Sequence, residues 1–593
     1  MSTDDSDNPV LRLSVACNGV GQPDLPVISC SIRHALNAVP WARLVIADGD
    51  PAGNATPLSD GDLFKPGASI EIRAGDADKD TMLFSGIVVR HGCEIGGNGG
   101  GRLVIECRDP ACKLTLGRRS ANYVDQTDSA IIASLIAHAG LAADVESTSI
   151  AHKALVQYDC SDWDFMLARA ELLGLLVNVS AGKVSVKAPA VSGTAALTLT
   201  WGTDLLALDA DIDASSQWTS VQAQGWDPAR QALVKGAPAR PPVLNSQGDL
   251  DGAALAAVGS PSVVVLQSPA ISDGPLLDSW AKAMQLKAGL ARIRGRMRFE
   301  GTAAARPGTL IKLAGVGKRF KGEVFVSAVQ HELVDGNWIS DAEFGLDPNW
   351  SVERPDVVAP LAGGQLPGVG GLQIGVVMNV DQDPAGEGRI RIRLPSLGDV
   401  HEGIWARLLQ FHASDDFGAF FLPEVDDEVL VDYLNGDPSH PVVLGSLYSS
   451  KHVSPYAPDA ANRTKAIVTR SKHRIEFDDE DRIITVTTPS GNRLVLNDKD
   501  RSILVQDQNG NTVTLDRRGI ALDSPGDIRL TARGGIALEA VDAVSISSKA
   551  DVKAAGLNIS CEAQVGFTGH GGATAELSAS GQITVKGAVV MIN

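Results

Sequence analysis

Residues 519–554 read GIALDSPGDIRLTARGGIALEAVDAVSISSKADVKA, and this stretch decides the fold class of the C-terminal part of the chain. Apolar residues recur there every eight positions, at Ile520, Ile528, Ile536, Val544 and Val552. A second apolar residue follows two positions after most of them, at Leu522, Leu530, Leu538 and Ile546. Side chains at i and i+2 lie on the same face of a β-strand. The pattern therefore predicts a stack of short strands that share one narrow apolar face.

The repeat shifts by one residue after Val552 and then continues at Ile559, Phe567, Ala575, Ile583 and Met591. An eight-residue repeat is long enough for one side of a prism, so one chain leaves its apolar face open. Three chains close the prism if each supplies one side, which predicts a homotrimer with three-fold symmetry. A single-chain solenoid is the alternative, and it would need repeats grouped in twos or threes with differing sides. The predicted trimer core consists of Ile520, Leu522, Ile528, Leu530, Ile536, Leu538, Val544, Ile546, Val552, Ile559, Phe567, Ile583 and Met591.

Strand signals continue upstream of this repeat. Gly491-Asn492 and Gly510-Asn511 are 19 residues apart, and each precedes an alternating apolar pattern that is typical of a strand. Residues 463–593 contain only two aromatic side chains, Phe477 and Phe567, so an ordinary globular core is not expected in this part of the chain.

Composition narrows the function classes for the 593 residues. Lys and Arg total 52 against 71 Asp and Glu, which gives a formal net charge of -19. A protein that binds nucleic acid through phosphate contacts needs clustered positive charge, so no nucleic-acid partner is expected. Neither a signal peptide nor an apolar run of membrane-spanning length occurs in the sequence. The thinly spread seven cysteines are interpreted as free or buried thiols of a protein made in a reducing cytosol.

The first 353 residues alternate between strand patterns and a few helices. Period-two apolar patterns dominate residues 10–120 and return at 310–312, 324–326 and 343–345, while residues 227–269 are predicted to be irregular. Helices are predicted near residues 128–140, 161–174 and 276–290. The second of them opens with a capping-box pattern, Ser161 followed by Asp164, and both of the first two end at a glycine.

Residues 354–371 read RPDVVAPLAGGQLPGVGG and are predicted to be a linker, because three Pro and five Gly in 18 residues hold neither a helix nor a central strand. Residues 372–450 then show about six short strand patterns, among them one at Phe420–Leu422, separated by turn signals. Five or six strands in about 80 residues is the size of a small closed barrel of the OB kind. A second linker is predicted at 451–470.

The barrel sequence carries the most specific motifs of the chain. They are GRIRIRLPSLG at 388–398, Trp405-Ala406-Arg407, and FLPEVDDEVLVDYLNGDPSHPVVLGSLY at 421–448. With these motifs the whole chain resembles the VgrG-type spike proteins of contractile injection systems, which join a gp27-like hub to a gp5-like OB domain and a β-helix needle. One departure is Asp426-Asp427, which stands where the family's hairpin usually has Gly. The residues that match the family's OB signature are Gly388, Arg389, Trp405, Arg407, Pro423, Gly436, Asp437, Pro438 and Pro441.

The resemblance extends beyond the barrel. SDWDFMLARAELLGLLV at 161–177 is similar to a helix of the family's hub, and KHRIEFDDEDR at 472–482 is similar to the start of its needle. The chain is thus expected to be mainly β. Its expected parts are a gp27-like hub of β-barrels with a few helices at 1–353, the linker at 354–371, an OB-fold barrel at 372–450, the linker at 451–470 and a trimeric triangular β-helix needle at 471–593.

Family membership also implies partners and a place of action. Three copies would sit at the end of an inner tube, contact the tube protein and other baseplate proteins, and puncture the envelope of a target cell. Val589, Val590, Met591, Ile592 and Asn593 would dock a small PAAR-like tip protein, and an effector cargo is possible. The protein would be synthesised in the cytoplasm and act outside the cell within an injection particle. The stretch KGEVFVSAVQHEL at 321–333 is more similar to extracellular phage-tail-like particles than to the type VI system.

No catalytic or cofactor motif stands out in the sequence, so neither an enzyme nor a cofactor is expected. Some relatives insert a lysozyme domain before the needle or append an effector after it. Here residues 448–470 are too short for a domain, and the chain ends at Asn593 directly after the last repeat. The acidic groups at 424–427 and 478–481 are interpreted as solvated turn charges. His570 is the one candidate for an axial metal site, but the sequence FTGHGG lacks the His-x-His pattern of phage needle tips.

Two functional hypotheses therefore come from different classes. The first is a structural spike and hub of a contractile injection machine. The alternative is a trimeric adhesin or receptor-binding tail fibre, which would share the needle but not the OB signature or the gp27-like hub.

Overall fold

The structure is a computed structural model that describes residues 11–50, 52–76, 79–96, 100–259, 263–270, 273–398 and 402–592. The chain divides into two compact units, Met1–Leu447 and Tyr448–Asn593. Across the described residues it contains 37 strands and five α-helices, which confirms the expectation of a mainly β protein with few helices. The boundaries predicted for the linkers and domains remain predictions.

Most strands of the first unit belong to its N-terminal region, residues 11–353. They are β1 (Arg12–Cys17), β2 (Val20–Gly21), β3 (Val27–Ala35), β4 (Trp41–Ala47), β5 (Ser69–Asp76), β6 (Lys79–Ile95), β7 (Gly101–Arg108), β8 (Arg119–Tyr123), β9 (Gln126–Thr127), β10 (Ala142–Val145), β11 (Ala151–His152), β12 (Leu155–Cys160), β13 (Leu176–Ser180), β14 (Lys183–Lys187), β15 (Leu197–Thr200), β16 (Leu205–Ile212), β17 (Val221–Asp227), β18 (Ala232–Lys235), β19 (Val264–Ser268), β20 (Ile293–Glu300), β21 (Leu310–Ala314), β22 (Gly322–Val334) and β23 (Asn337–Phe344).

Thirteen of these strands form one sheet, whose main path is β16-β20-β23-β22-β3-β4-β7-β6-β5-β1-β2. One apolar core lies on the β1–β7 half, around Ile32, Leu44 and Ile72, and a second lies on the β20–β23 half, around Met297 and Phe344. The two halves, expected as separate β-barrels, are joined because β3 and β22 pair antiparallel along seven residues. The alternation of apolar and polar residues predicted the strands, but not this long-range pairing.

The three predicted helices are present. They are α1 (Asp128–His138), α2 (Asp162–Leu172) and α4 (Gly274–Ala291), and each begins after a side-chain cap, from Thr127, Ser161 and Asp273 respectively. Gly140 and Gly174 follow the first two helices with φ of +74° and +71°, the left-handed conformation that glycine tolerates best.

The capping box of α2 differs from the predicted one in its second hydrogen bond. Asp164 N–H donates to the Ser161 hydroxyl oxygen at 3.1 Å, as in a capping box. The Asp164 carboxylate then accepts from the Ser161 hydroxyl at 2.5 Å. An Asp side chain is one methylene shorter than Glu, so it contacts the near hydroxyl rather than the N–H of the cap residue.

Residues 227–269 are not irregular throughout, so that prediction was wrong in part. They contain β18, β19 and the short helix α3 (Gly252–Ala256), and β17 pairs with both strands. A further short helix, α5 (Gly317–Phe320), was also not predicted. Elements of four or five residues are too short to show a period. The strands β18 and β19 are stabilised by packing against the cluster of β17 and α4, where Val221, Leu277 and Ala281 are buried together.

The barrel of the first unit follows, and it is closed. Its strands are β24 (Gln373–Asn379), β25 (Ile390–Arg393), β26 (Ile404–Leu408), β27 (Ala413–Ser414), β28 (Phe417–Gly418), β29 (Glu428–Tyr433) and β30 (Pro441–Ser446). Five of them close in the order β24-β25-β26-β30-β29, which confirms the small β-barrel. The predicted strand at Phe420–Leu422 is absent. The chain instead forms a two-stranded hairpin of β27 and β28, which leaves the phenylalanines around it exposed.

The second unit begins with a meander of seven antiparallel strands. They are β31 (Thr464–Val468), β32 (Arg474–Asp478), β33 (Ile483–Thr487), β34 (Arg493–Asn497), β35 (Ser502–Gln506), β36 (Thr512–Asp516) and β37 (Gly519–Asp523). The strands predicted after Gly491-Asn492 and Gly510-Asn511 are β34 and β36. Both glycines adopt left-handed φ values, +95° and +90°, in the turns that join neighbouring strands.

Candidate assembly surfaces

One face of the seven-stranded sheet is apolar. Residues directly opposite each other in an antiparallel pair share a face, so the register identifies its two columns. The first column is Ile467, Ile475, Val486, Leu494, Val505, Val513 and Leu522. The second column is Phe477, Ile484, Leu496, Ile503, Leu515 and Ile520. These thirteen residues are called the apolar face below, and no core cluster of the described residues includes any of them.

The eight-residue repeat continues this face, since Ile520 and Leu522 of β37 are also its first pair of apolar residues. Beyond Asp523 the backbone pairing stops. Between residues 524 and 592, all of which are described, the chain makes no backbone–backbone hydrogen bond with itself. All thirteen predicted trimer-core residues are exposed in the single chain, to between 51% and 81%.

This arrangement leaves two kinds of group unsatisfied in one chain. Each Å² of apolar side-chain surface that stays in water forgoes roughly 25 cal/mol of stabilising free energy. The extended backbone also has no intrachain partner for its N–H and C=O groups. The strands predicted at 524–592 are not assigned in one chain for this reason, since a strand is defined by its bonds to a neighbour. Both needs are met by other extended chains laid alongside, so residues 464–592 form the main candidate assembly surface.

The register also places two residues with metal-binding potential. Cys561 is two positions after Ile559. The same repeat position holds Leu522, Leu530 and Leu538 earlier in the chain, so Cys561 falls among the positions of the predicted trimer core. His570 is three positions after Phe567, where earlier repeats have Asp523, Thr531 and Glu539, so it shares a position with polar residues. Among the described residues no cluster of three His, Cys, Asp or Glu side chains is spaced to hold a metal ion.

Four of the five residues predicted to dock a tip protein are described. Val589, Val590, Met591 and Ile592 are exposed, and the fifth, Asn593, lies outside the described residues. They are consecutive apolar residues, whereas earlier repeats separate their apolar pairs with polar or small residues.

In the barrel, Arg389 of the OB signature has a clear local role. Its guanidinium Nη2 lies 2.7 Å from Asp383 Oδ1 in the turn between β24 and β25. The same carboxylate accepts from the backbone N–H groups of Ala385, Glu387 and Arg389. The guanidinium and these N–H groups hold the pKa of Asp383 well below its usual range. Gly388 precedes this arginine with φ of +67°, so the Gly-Arg pair shapes and closes one turn.

The Gly-Asp-Pro-x-x-Pro signature forms the turn from β29 to β30. Gly436 has φ of +66°, and a Cβ there would lie 3.0 Å from the Val369 carbonyl oxygen. The Val369 N–H donates to the Gly436 carbonyl at 2.8 Å, and this bond holds the two segments too close for a side chain at position 436. Glycine is therefore required there. The Asp437 carboxylate accepts from Ser439 N–H at 2.8 Å and pairs with His440, while Pro438 is partly buried and Pro441 is buried.

The remaining residues of the OB signature differ from one another in burial and in contacts. Trp405 is partly buried, with the Arg391 guanidinium 5.8 Å from its ring centroid, and Pro423 is also partly buried. Arg407 is exposed and has no hydrogen bond or ion pair within the described part of the chain. The structure therefore explains the turn residues of the signature by local geometry but gives Arg407 no partner.

The departure from the family pattern at Asp426 has a conformational meaning. Asp426 adopts φ of +73°, the left-handed region that glycine occupies without strain. Its neighbour Asp427 caps the same turn, since its carboxylate accepts from Glu424 N–H at 2.9 Å. The position where relatives usually have glycine is thus the one that bends into the left-handed region.

Two features of the first unit were missed from the sequence. One is a cleft of about 890 Å³ in the N-terminal region, in which Lys287 lies 2.8 Å from Glu171 and Arg33 lies 3.0 Å from Glu343. These four charges neutralise each other in two pairs. The second is the exposed hairpin segment of the barrel, residues 409–422, whose signal was the crowding of four of the chain's 13 phenylalanines into residues 411–421.

Within the described residues, no helix is both long and apolar enough to cross a membrane. All seven cysteines, which all lie in described segments, are free thiols. Burial raises the pKa of the Cys107 thiol to about 12, so this side chain stays protonated at neutral pH.

The Asp383 turn predicts a pH-dependent difference in stability. Because the fold lowers the Asp383 pKa, its stabilising effect is complete above the ordinary value of 3.8 and is lost as the pH falls through the lower folded value. We expect Asp383→Asn to lower the urea midpoint of unfolding at pH 7, and the gap from the parent protein to narrow steadily as the pH falls below 4. Asp381→Asn, in the same turn, is the control and should leave the midpoint unchanged; a gap that stays constant as the pH falls below 4 would contradict this account.

The hairpin at Asp426 predicts opposite effects of two neighbouring glycine substitutions. Asp426→Gly should stabilise the protein by about 0.5–1 kcal/mol, because glycine removes the cost of a left-handed φ. Asp427→Gly should destabilise it by about 1 kcal/mol, because the turn loses its carboxylate cap. Thermal unfolding of both variants measures the difference, and equal destabilisation by the two would refute the conformational argument.

Comparisons with known proteins agree with this architecture. Models of three families match the chain: the Alg8 N-terminal domain at residues 7–335, the type VI secretion system/phage-baseplate injector OB domain at 373–448, and the phage baseplate V C-terminal trimerisation domain at 483–550. The first match covers more than half of the chain.

Curated relatives match shorter regions. The type VI secretion system spike protein VgrG1b of Pseudomonas aeruginosa is 26% identical over 207 residues, which is 32% of this chain and 27% of the relative. VgrG3 of Vibrio cholerae is 33% identical over 92 residues, which is 15% of this chain and 9% of the relative. The chain therefore spans well under two thirds of the length of these relatives.

A solved structure of an E. coli type VI secretion component, described as similar to the T4 tail proteins gp27 and gp5, also matches. It is 13% identical, covers 73% of this chain and 99% of its own, and has a TM-score of 0.40. From the three family matches and the curated relatives, we conclude that the chain belongs to the family defined by the Alg8 N-terminal domain and is a VgrG-type spike protein.

Proposed function

We propose that this spike protein works as a homotrimer at the tip of the inner tube of a contractile injection machine, where its needle punctures the envelope of a target cell. The observation that carries the proposal is the apolar face of residues 464–523, which continues into the eight-residue repeat and has no partner in one chain. The match of residues 483–550 to a trimerisation domain supports three as the number of copies.

The change of repeat length at Asp523 supports the same assembly. In the meander, the first five strands each take nine or ten residues with the turn that follows, β36 takes seven, and each strand pairs with the next one in the same chain. The repeat that follows has a constant period of eight residues, and there the chain makes no backbone hydrogen bond with itself. Three chains that each supply one side of a triangular prism satisfy the backbone of all three and bury the three apolar strips together.

A closed prism suits a part that is driven through an envelope. All of its backbone groups are hydrogen-bonded and it has no long open sheet edge along its sides, so it resists bending and unwanted pairing. The exposed residues Val589–Ile592 would bind a PAAR-like tip protein, while the N-terminal region would contact the tube and baseplate proteins. Cargo transport and synthesis in the cytoplasm before assembly outside the cell are parts of the same proposal.

We also infer a mechanical rather than an enzymatic role. The cleft around Lys287 and Glu171 holds internally paired charges, as expected for a structural rather than a catalytic surface. The alternative of a trimeric adhesin or tail fibre shares the needle, but the match of residues 373–448 to an injector OB domain favours the spike.

Solution mass tests the trimer. The full-length protein should have a mass of about 186 kDa, three times its 62.0 kDa chain. Leu538→Asp should abolish the trimer, because it puts three carboxylates together in a dry core. Ala537→Asp is the matched control, since the neighbouring side chain points away from the core and the trimer should persist. A monomeric parent protein, or a trimer that survives Leu538→Asp, would refute the proposal.

The position of Cys561 tests the register of the needle. In the trimer three Cys561 side chains face one another, so mild oxidation should link two of the three chains through a disulfide. Non-reducing gels should show a dimer band for a Cys93→Ser variant, which lacks the other exposed cysteine. The control, Cys93→Ser/Cys561→Ser/Glu562→Cys, places the thiol at the next residue of the chain, whose side chain points away from the predicted core, and should give no dimer. Equal dimer yields from both positions would contradict the inward assignment.

A further inference from the structure

The barrel carries a second exposed apolar surface, which lies outside the needle. It is the segment of residues 409–422, called the aromatic finger below. The exposed fractions of Phe411, Phe417, Phe420 and Phe421 are 86%, 66%, 82% and 53%. Four such rings leave roughly 500–600 Å² of aromatic surface in water. Contiguous apolar patches of this size usually mark an interaction site.

The finger is an ordered structure rather than a collapsed loop. Gln410 joins its two ends, since its side-chain amide donates to the Phe421 carbonyl at 2.8 Å and its oxygen accepts from Phe421 N–H. The hairpin of β27 and β28 holds the tip, and Ala419 N–H donates to the His412 carbonyl. The rings are therefore presented in a fixed arrangement, which lowers the entropy cost of docking.

The tip of the finger adds charge of one sign. Asp415 and Asp416 are exposed, and neither carboxylate makes a hydrogen bond or ion pair within the described residues. The finger contains no Lys or Arg. Its ideal partner is thus an apolar surface that carries an unpaired cation.

Such a surface exists on the outside of the same barrel, and it is called the outer strip below. Arg407 of β26 lies opposite Val442 of β30, and Ile374 of β24 lies opposite Leu430 of β29. Leu444, also on β30, completes the strip. Ile374, Leu444 and Arg407 are exposed, so the chain's own finger does not cover them. Asp432 lies opposite Val442 on the other side, but forms no ion pair with Arg407.

We propose that, in the trimer, the aromatic finger of each copy docks on the outer strip of the next copy, with Asp415 and Asp416 facing Arg407. This inference rests on the proposed homotrimer. A cyclic trimer builds such head-to-tail contacts, in which one surface of each copy meets a different surface of its neighbour.

The proposal assigns a role to Arg407, the signature residue that has no intrachain partner. It also gives the barrels an interface of their own. Four finger rings supply most of the roughly 800 Å² that each partner buries in a stable protein interface. The docked ion pairs would be shielded from water by the rings around them, which strengthens their attraction.

Cross-linking between two differently marked chains tests the contact in the full-length trimer. Both chains carry Cys93→Ser and Cys561→Ser; one also carries Arg407→Cys, and the other, with an affinity tag, carries Asp416→Cys. After co-expression and treatment with a short bis-maleimide, we expect a covalent band that contains one tagged and one untagged chain. Each chain expressed alone should give none.

Other results of this experiment overturn the proposal in different ways. Cross-linking of Asp416→Cys chains alone would mean that the fingers meet each other. A trimeric mass without any cross-link would mean that the aromatic fingers bind another protein or a membrane. This result would overturn the inference but not the proposed function. A monomeric mass would overturn both.

Charge exchange gives an independent measurement on the same trimer. Arg407→Glu should raise the hydrogen-exchange rate of the peptide that contains residues 411–421 several-fold, because like charges then face each other. Adding Asp415→Arg and Asp416→Arg to Arg407→Glu should restore the slow exchange, whereas Arg407→Gln should give an intermediate rate. An unchanged rate in Arg407→Glu, or no recovery in the charge-exchanged protein, would refute the ionic part of the contact.

Discussion

The constraint on which the rest of the second unit depends is the unmet bonding of an extended chain. From Asp523 onward the backbone has no intrachain hydrogen bond in the described residues, and its apolar side chains lie in water. An unpaired backbone group raises the free energy of the folded chain when it is buried away from water. An apolar side chain raises it when the side chain is exposed to water. One chain alone cannot satisfy both demands, because folding the apolar strip inward would also bury the unpaired backbone. Other copies resolve the conflict, since they pair the backbone while they cover the strip.

The first unit meets the same demands within one chain. In the barrel, closure of β24-β25-β26-β30-β29 leaves no open edge, and Val377, Ile392 and Val431 fill the interior. In the N-terminal region, β3 and β22 join the two halves of a 13-stranded sheet. The buried Asp128 is matched there by Arg169, from which it accepts, and by His152, to which it bonds. Apart from the exposed aromatic finger, the described part of the first unit thus satisfies these demands within one chain, whereas the second unit depends on other chains.

Much of the architecture could be predicted because its signals are local. The caps at Thr127 and Ser161 with glycines at 140 and 174 predicted two helices within two residues of their observed ends. The trimer core that the period of eight indicates stays a prediction. The failures also have physical reasons. At Phe420–Leu422 an apolar run was taken as a strand, although no neighbouring strand is available to pair with it. Strands β18 and β19 within residues 227–269 depend on packing against α4, which no local pattern reveals.

The candidate surfaces also differ in whether local sequence or tertiary contacts define them. The sequence by itself determined which residues share the apolar face of the seven-stranded sheet, because alternation is a property of neighbouring residues along the chain. It also determined the turns at Gly388-Arg389 and Gly436-Asp437, whose bonds are made within a few residues. Only the tertiary structure decided that Arg407 and Ile374 share an outer strip, and that the finger phenylalanines remain exposed. Those relations join residues from different strands, and they exist only once the barrel has closed.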